Sequence, residues 1–152
     1  MNPTDTPAET LLFATEITVQ VGDLNYGNHL ANDAVLRLAH EVRLRWLAQG
    51  GYNEIDAGGS GLIMTEAAVR YLAQAFYGDC LYCTLAAGDI GKAGFSLIYE
   101  FTRPSDQKTI ARVHSKMACF DYARQRPVRL SEKLKDYLQT PHSETFSIKE
   151  ST

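Results

Sequence analysis

The chain has 152 residues, of which 45% are hydrophobic and 22% charged, an ordinary composition for one folded domain and not for a disordered, collagen-like or disulfide-stapled chain. At this length roughly 68–70% of the unfolded surface is buried on folding, enough for a sizeable core. The net charge of −3 and pI near 5.8 lack the basic excess of a nucleic-acid binder, and no apolar run approaches the ~18 residues of a membrane span.

The chain divides into a flexible tail at 1–12, one domain at 13–139 and a polar tail at 140–152. From Phe13 to Val21, Ile17, Val19 and Val21 alternate with Glu16, Thr18 and Gln20, the period of a half-buried strand. The segment GDLNYGNHLAND that follows is a loop rich in residues whose side chains bond the backbone. An amphipathic helix from Asn32 to Gln49 comes next: Val35, Leu38, Ala39, Val42 and Trp46 share a face, Asn32 or Asp33 serves as N-cap, and Gly50-Gly51 is the stop. Four strands then run over about Leu62–Leu72, Leu81–Ile90, Gly94–Arg103 and Thr109–Asp121, separated by turns at Tyr77-Gly78-Asp79, Gly91-Lys92 and Pro104-Ser105-Asp106. A short helix near Ser131–Leu138 closes the domain.

One strand, one helix and four strands do not alternate as a doubly wound fold requires, so the order predicts an antiparallel five-stranded sheet wrapped around one long central helix. The exposed edges of such a sheet are commonly protected by a second copy, which points to a homodimer, with a homotetramer as the larger alternative. Cys80, Cys83 and Cys119 are an odd number and no signal peptide precedes them, which suits a reducing cytoplasm. Cys80 and Cys83 spell C-x-x-C, but inside a strand their thiols fall on opposite faces and no second ligand pair is spaced for zinc, so no metal is expected.

Four stretches in order carry a family resemblance. Asp23-Leu24-Asn25-Tyr26-Gly27-Asn28-His29-Leu30-Ala31-Asn32 resembles D-x-D-x-x-G-H-V-N-N, and His40-Glu41-Val42-Arg43 is similar to E-E-A-R. Arg70 through Asp79 resembles R-Y-x-x-P-A-x-x-G-D, and Ile90 through Ser96 resembles I-G-x-x-S-F. Together they resemble the hotdog-fold acyl-CoA thioesterases of the 4-hydroxybenzoyl-CoA thioesterase type, over roughly Phe13 to Leu138. The resemblance implies an α+β hotdog fold and hydrolysis of an acyl-CoA thioester at a dimer-interface site near the start of the helix. Coenzyme A enters as part of the substrate, and no separate cofactor is implied.

By position in the motif, the Asn32 amide is the oxyanion donor, with Asp33 beside it, because the first amides of a helix have no intrahelical acceptor and face the positive end of its dipole. Where the family carries its catalytic carboxylate, this chain has Asn25, whose amide cannot take a proton at neutral pH. Asp23, the motif's first aspartate, and Glu66, in the strand after the helix, are the alternative carboxylates, and His29 matches the family histidine. The blander roles are a capping loop aspartate for Asp23, a turn former for Asn25, a loop tie for His29 and the polar side of a strand for Glu66. Arg43 is expected to pair with a carboxylate, Lys92, Arg103 and Arg112 are candidates for the coenzyme A phosphates, and Val35, Leu38, Tyr71, Phe76, Tyr77 and Phe95 for an acyl pocket.

Two other functions fit parts of the same segment. Gly22-Asp23-Leu24-Asn25 followed by His29 also resembles the G-D-x-N-P-x-H motif of hotdog enoyl-CoA hydratases, with Tyr26 in place of the proline and one extra residue before the histidine. Asn25 supports a third reading, a non-catalytic acyl-CoA binding module.

Overall fold

The computed structural model describes residues 9–143, so residues 1–8 and 144–152 of the two expected tails lie outside the described residues. The elements are β1 (Thr10–Thr18), α1 (Asn32–Gln49), β2 (Gly61–Tyr71), β3 (Cys80–Gly88), β4 (Gly94–Arg103), β5 (Lys108–Asp121), β6 (Arg126–Pro127) and α2 (Glu132–Leu138), with a 3-10 turn at Val21–Asp23. The strands form one antiparallel sheet in the order β1-β3-β4-β5-β2, and β6 pairs with the end of β5 through Phe120↔Pro127 and Asp121↔Arg126. The sheet therefore has six strands rather than the five expected. The sixth is two exposed residues, one of them a proline, and so carries neither alternation nor hydrophobicity for a sequence to display.

Alternation places the sheet's apolar side. Leu81, Cys83 and Leu85 on β3, Leu97, Tyr99 and Phe101 on β4, and Val113, Ser115 and Met117 on β5 are all buried, while the residues between them are more exposed. The same core holds Ala34, Val35, Leu38, Ala39, Val42, Trp46 and Leu47, the inward stripe of α1. In place of a long central helix, the layer against the sheet is this single 18-residue helix, about 27 Å at ~1.5 Å per residue. Its N-cap is Ala31, which has no capping side chain, and not Asn32 or Asp33, which are the first two helical residues. The helix ends at Gly50, and Gly51 turns the chain away with φ of 79°, a conformation glycine adopts without steric cost.

β1 begins at Thr10 and ends at Thr18, earlier at both ends than the alternation suggests. A bulge between Leu11 and Phe13 shifts its parity, so buried Leu12 and buried Ile17 stand an odd number of residues apart. α2 starts at Ser131, whose Oγ accepts the Leu134 N–H, and buries Leu134 and Leu138. Its Tyr137 stacks on Trp46 with centroids 4.9 Å apart and donates its hydroxyl proton to the Trp46 carbonyl, which pins α2 to α1.

β1 and β2 are the two edges of the main sheet. β2 is largely exposed along its length, with Met64 and Tyr71 about half accessible and Leu72 just beyond it equally so. Cys80 is exposed while Cys83 and Cys119 are buried, and burial pushes both buried thiols up from their ordinary range. Among the described residues no helix is long and apolar enough to cross a membrane.

Candidate functional site

The polar loop before α1 folds back on itself. Leu24 bridges Leu30, the Asn25 N–H donates to the His29 carbonyl at 3.0 Å, and the Asn28 N–H donates to the Asn25 carbonyl at 3.0 Å. The Asn25 side chain fills the turn by accepting the Gly27 N–H on Oδ1 at 2.9 Å, and Asn28 takes φ of 63°, which asparagine tolerates better than most residues. A side chain at Gly27 would stand 3.2 Å from both Asn25 Oδ1 and His29 Nε2, so the turn is also tight against the histidine ring.

This loop is tied at both ends. The Ala31 N–H donates to the Asp23 carbonyl at 2.8 Å, which fixes the residue just before α1. The Leu30 N–H donates to the Ala75 carbonyl at 2.8 Å, and His29 bridges Phe76, which fixes the loop to the turn between β2 and β3. That turn is itself clamped: Asp79 Oδ2 accepts the Phe76 N–H at 2.9 Å and Arg103 Nη1 at 2.9 Å, and the same nitrogen reaches the Gln74 carbonyl at 3.0 Å. Arg103 also forks onto Asp106, and the carboxylates of Asp106 and then Asp79 hold its proton more tightly than usual. The G-D pair of the sequence thus positions the histidine loop through two turns of backbone.

At the start of α1 lies a cavity of about 290 Å³. His29 and Asn32 line it from the loop and helix, Val35 from the next helical turn, Tyr71 from the end of β2 and Leu72 just after it, and Ile110 and Ala111 from β5. The Tyr71 hydroxyl donates to the Asn32 carbonyl at 2.9 Å and so sets the first helical residue against β2. Among the described residues no acceptor receives the Asn32 N–H, and with Ala31 as N-cap no side chain competes for it. The positive end of the helix dipole adds to this donor.

The other candidate residues lie around this cavity in different ways. His29 Nδ1 stands 3.4 Å from Asn25 Nδ2 and 3.5 Å from the Leu30 carbonyl, both at the long limit of hydrogen bonding, so neither contact locks the tautomer of the ring. Asp23 Oδ2 accepts the Gln20 N–H at 2.8 Å and closes the 3-10 turn. Asp33 is exposed and accepts Arg37 Nη1 at 2.8 Å, a hydrogen bond that holds its carboxyl below the usual carboxylate range. Glu66 stands opposite Lys116, 3.4 Å away, on the face of the sheet turned from α1. The structure therefore brings His29 and Asn32 to one cavity with Asn25 beside the ring, engages the Asp23 carboxylate in the 3-10 turn, and puts Asp33 and Glu66 in surface ion pairs.

Of the side chains expected to line an acyl pocket, Val35 and Tyr71 do so at this cavity. Arg103 and Arg112 are engaged by carboxylates, Arg112 by Glu100 at 2.9 Å. Arg43, expected to pair with a carboxylate, donates Nε to Glu54 Oε2 at 3.2 Å and Nη1 to the Tyr99 hydroxyl at 3.2 Å, and His40 joins it on Glu54. Sequence reasoning missed this cluster because Tyr99 occupies an inward strand position that alternation assigns to the core without regard to polarity.

The sequence matches the Thioesterase-like superfamily over residues 19–138. Comparison with curated proteins gives no match. Similar solved structures include a 1,4-dihydroxy-2-naphthoyl-CoA thioesterase from Synechocystis, 19% identical, with a TM-score of 0.75 over 86% of this chain and 96% of that one. Another is a hypothetical protein from Staphylococcus aureus in complex with CoA, 18% identical, with a TM-score of 0.76 over 88% of each chain. At these identities what is shared is the fold. The family match spans the loop, the cavity and both helices, and the chain belongs to the thioesterase-like superfamily, whose architecture is the hotdog fold.

Proposed function

We propose that this protein hydrolyses an acyl-CoA thioester with water in the cavity at the start of α1. The observation that carries the reading is the Asn32 N–H, a helix-start donor without an acceptor among the described residues, lining the same cavity as a histidine. The thioester carbonyl oxygen accepts that N–H, which strengthens as the oxygen gains charge; one such donor is worth about 10²–10³ in rate where it has been measured. His29 takes the proton of the attacking water, and the Asn25 amide stands beside the ring at 3.4 Å without fixing its tautomer. Collapse of the tetrahedral intermediate breaks the C–S bond and expels coenzyme A as a thiolate, a leaving group of pKa near ~8.5 by analogy with cysteine, so little acid assistance is needed.

Family membership supports thioester chemistry, and the CoA bound to the Staphylococcus aureus relative supports a CoA-linked substrate. The hydratase alternative asks Asp23 and His29 to share one water. Here Asp23 Oδ2 is engaged by Gln20 and the ring neighbours Asn25, which favours hydrolysis. The testing experiment is release of free coenzyme A from aromatic and C4 to C16 acyl-CoAs. Saturable turnover is expected, and silence across the panel would remove the proposal.

The working unit we propose is a homodimer or a homotetramer. β2 is a sheet edge with exposed Met64, Tyr71 and Leu72, and its last residues line the cavity, so a second copy along this edge would close the site. Light scattering at micromolar concentration is expected to give at least twice the 16.9 kDa chain mass. A monomer in that measurement would separate the site from any interface.

A further inference from the structure

The free edge of β2 is open over only part of its length. The Leu72 N–H donates to the Ile110 carbonyl at 2.9 Å, so the backbone just past the strand turns towards β5. Alternation turns Glu66, Ala68 and Arg70 the same way and leaves the N–H and C=O groups of Ala67, Val69 and Tyr71 pointing off the sheet. Among the described residues nothing meets them. At the other end the edge is already covered, because the Leu62 N–H donates to the Glu54 carbonyl at 2.8 Å and a bulge between Met64 and Glu66 breaks the ladder. The stretch left to pair is short, from Glu66 to Tyr71.

Charge along this stretch is unbalanced. Arg70 stands directly opposite Arg112, a like-charge pairing, and Arg112 is itself taken by Glu100 at 2.9 Å. No carboxylate pairs with Arg70 among the described residues. Glu66, on the same outer face, reaches Lys116 at 3.4 Å with its side chain 68% exposed, which leaves its carboxylate room for a second cation.

We propose that two copies join their β2 strands antiparallel with Ala68 opposite Ala68, so that Arg70 of each copy pairs with Glu66 of the other. The inference rests on the dimer reading given above and adds its register and its contacts. A two-fold interface must make every contact twice, and Arg70 and Glu66 lie two residues on either side of Ala68, as that symmetry demands. Ala67 and Val69, whose main-chain groups face outward, then exchange hydrogen bonds with Val69 and Ala67 of the second copy. Neighbouring registers do less. Centring on Ala67 sets Val69 against the bulge at Thr65 and Arg70 against Met64, and centring on Val69 sets Arg70 against Ala68 and Glu66 against Leu72. Neither gives either charge a partner. The Ala68 register also sets Tyr71, a wall of the Asn32 cavity, opposite Thr65 of the second copy, so each copy supplies part of the rim of the other's site.

A cross-link tests the register. Ala68 would meet its own copy at a non-hydrogen-bonded position, where Cα atoms of antiparallel strands stand about 4.5 Å apart, inside the roughly 4.4–6.8 Å span of disulfides. In a Cys80→Ser background, which removes the exposed native thiol, oxidation of Ala68→Cys is expected to give a covalent dimer of about twice the 16.9 kDa chain mass. Ala67→Cys and Val69→Cys should link far less.

A charge exchange tests the contacts. Arg70→Glu alone sets carboxylates against each other at two places in the dimer, Glu66→Arg alone does the same with guanidinium groups, and each is expected to raise the dimer Kd at least about tenfold. Mixing the two variants restores opposite charges at both places, so the mixture should regain a dimer that neither forms alone, as read by light scattering. Both positions are exposed, and melting curves check that each chain stays folded. A covalent dimer through Ala67→Cys or Val69→Cys in place of Ala68→Cys, or a mixture that assembles no better than its parts, overturns the register while the dimer stands. A parent protein that is monomeric at micromolar concentration removes both.

Discussion

Replacing His29 with glutamine is expected to lower kcat by about 10²–10⁴, the range typical of losing a positioned base, with KM changed far less. Glutamine keeps a polar side chain against Asn25 but cannot take the proton of water. The fold should survive, because the ring makes only the two long contacts to Asn25 and the Leu30 carbonyl, while the backbone of residues 29 and 30 carries the ties to Ala75 and Phe76. Coenzyme A release alongside a melting curve checks both halves. Asp23→Asn is the decisive comparison. Its carboxylate accepts the Gln20 N–H, so the substitution should weaken the 3-10 turn more than the chemistry. A larger loss of kcat from Asp23→Asn than from His29→Gln would transfer the base to the carboxylate.

Glu54→Ala should lower stability by about 2–3 kcal/mol, and therefore the melting temperature by roughly 4–12 °C for a domain of this size. Arg43 is 7% exposed and cannot shed its charge, so deleting Glu54 strands a cation beneath α1 with only a phenol as partner. The expected cost sits below the ~3–5 kcal/mol of a fully buried pair because the Glu54 side chain is itself about a quarter accessible, at 24%. The reverse deletion should be milder. Arg43→Met removes the cation, fills much of its volume with an apolar chain, and leaves Glu54 with His40 and solvent. Thermal unfolding of the two variants side by side measures this asymmetry, and equal losses would mean that solvent reaches Arg43 more freely than its burial indicates.

Regular elements were legible where local pattern and tertiary demand agree. α1 occupies the span its apolar stripe predicts, Asn32–Gln49, and β4 runs from Gly94 to Arg103 as its flanking turns indicate. β1 was displaced because a bulge changes parity, and parity is the only periodic signal a strand has. β6 was invisible because two exposed residues have no period at all. The N-cap was misplaced because residue type was the guide: Asn32 and Asp33 are good capping residues, yet they are the first two helical residues and the cap is Ala31, which has no side chain to offer the first amides.

The site divides along the same line. Asn25, His29 and Asn32 lie together because they are neighbours in sequence and the loop keeps them neighbours in space. Tyr71's hydrogen bond to Asn32 and the grouping of Arg43, Glu54, Tyr99 and Ser115 depend on contacts between elements far apart in the chain, which no local pattern encodes. Glu66 was attractive as a carboxylate in the strand after the helix. A bulge between Met64 and Glu66 and the pairing with Lys116 decide its face, and both are properties of the sheet.

The unequal burial of the three cysteines has a practical consequence. A thiol reagent added to the native protein meets Cys80 at the surface, whereas Cys83 and Cys119 are shielded and, with their thiols pushed up by burial, present almost no thiolate. Titratable sulfur should therefore rise from one per chain to three as the domain opens, since the sequence holds three cysteines in all. The molecule carries an internal counter of its own unfolding, and the reagent that detects released coenzyme A reads it with a background of a single, quickly exhausted group.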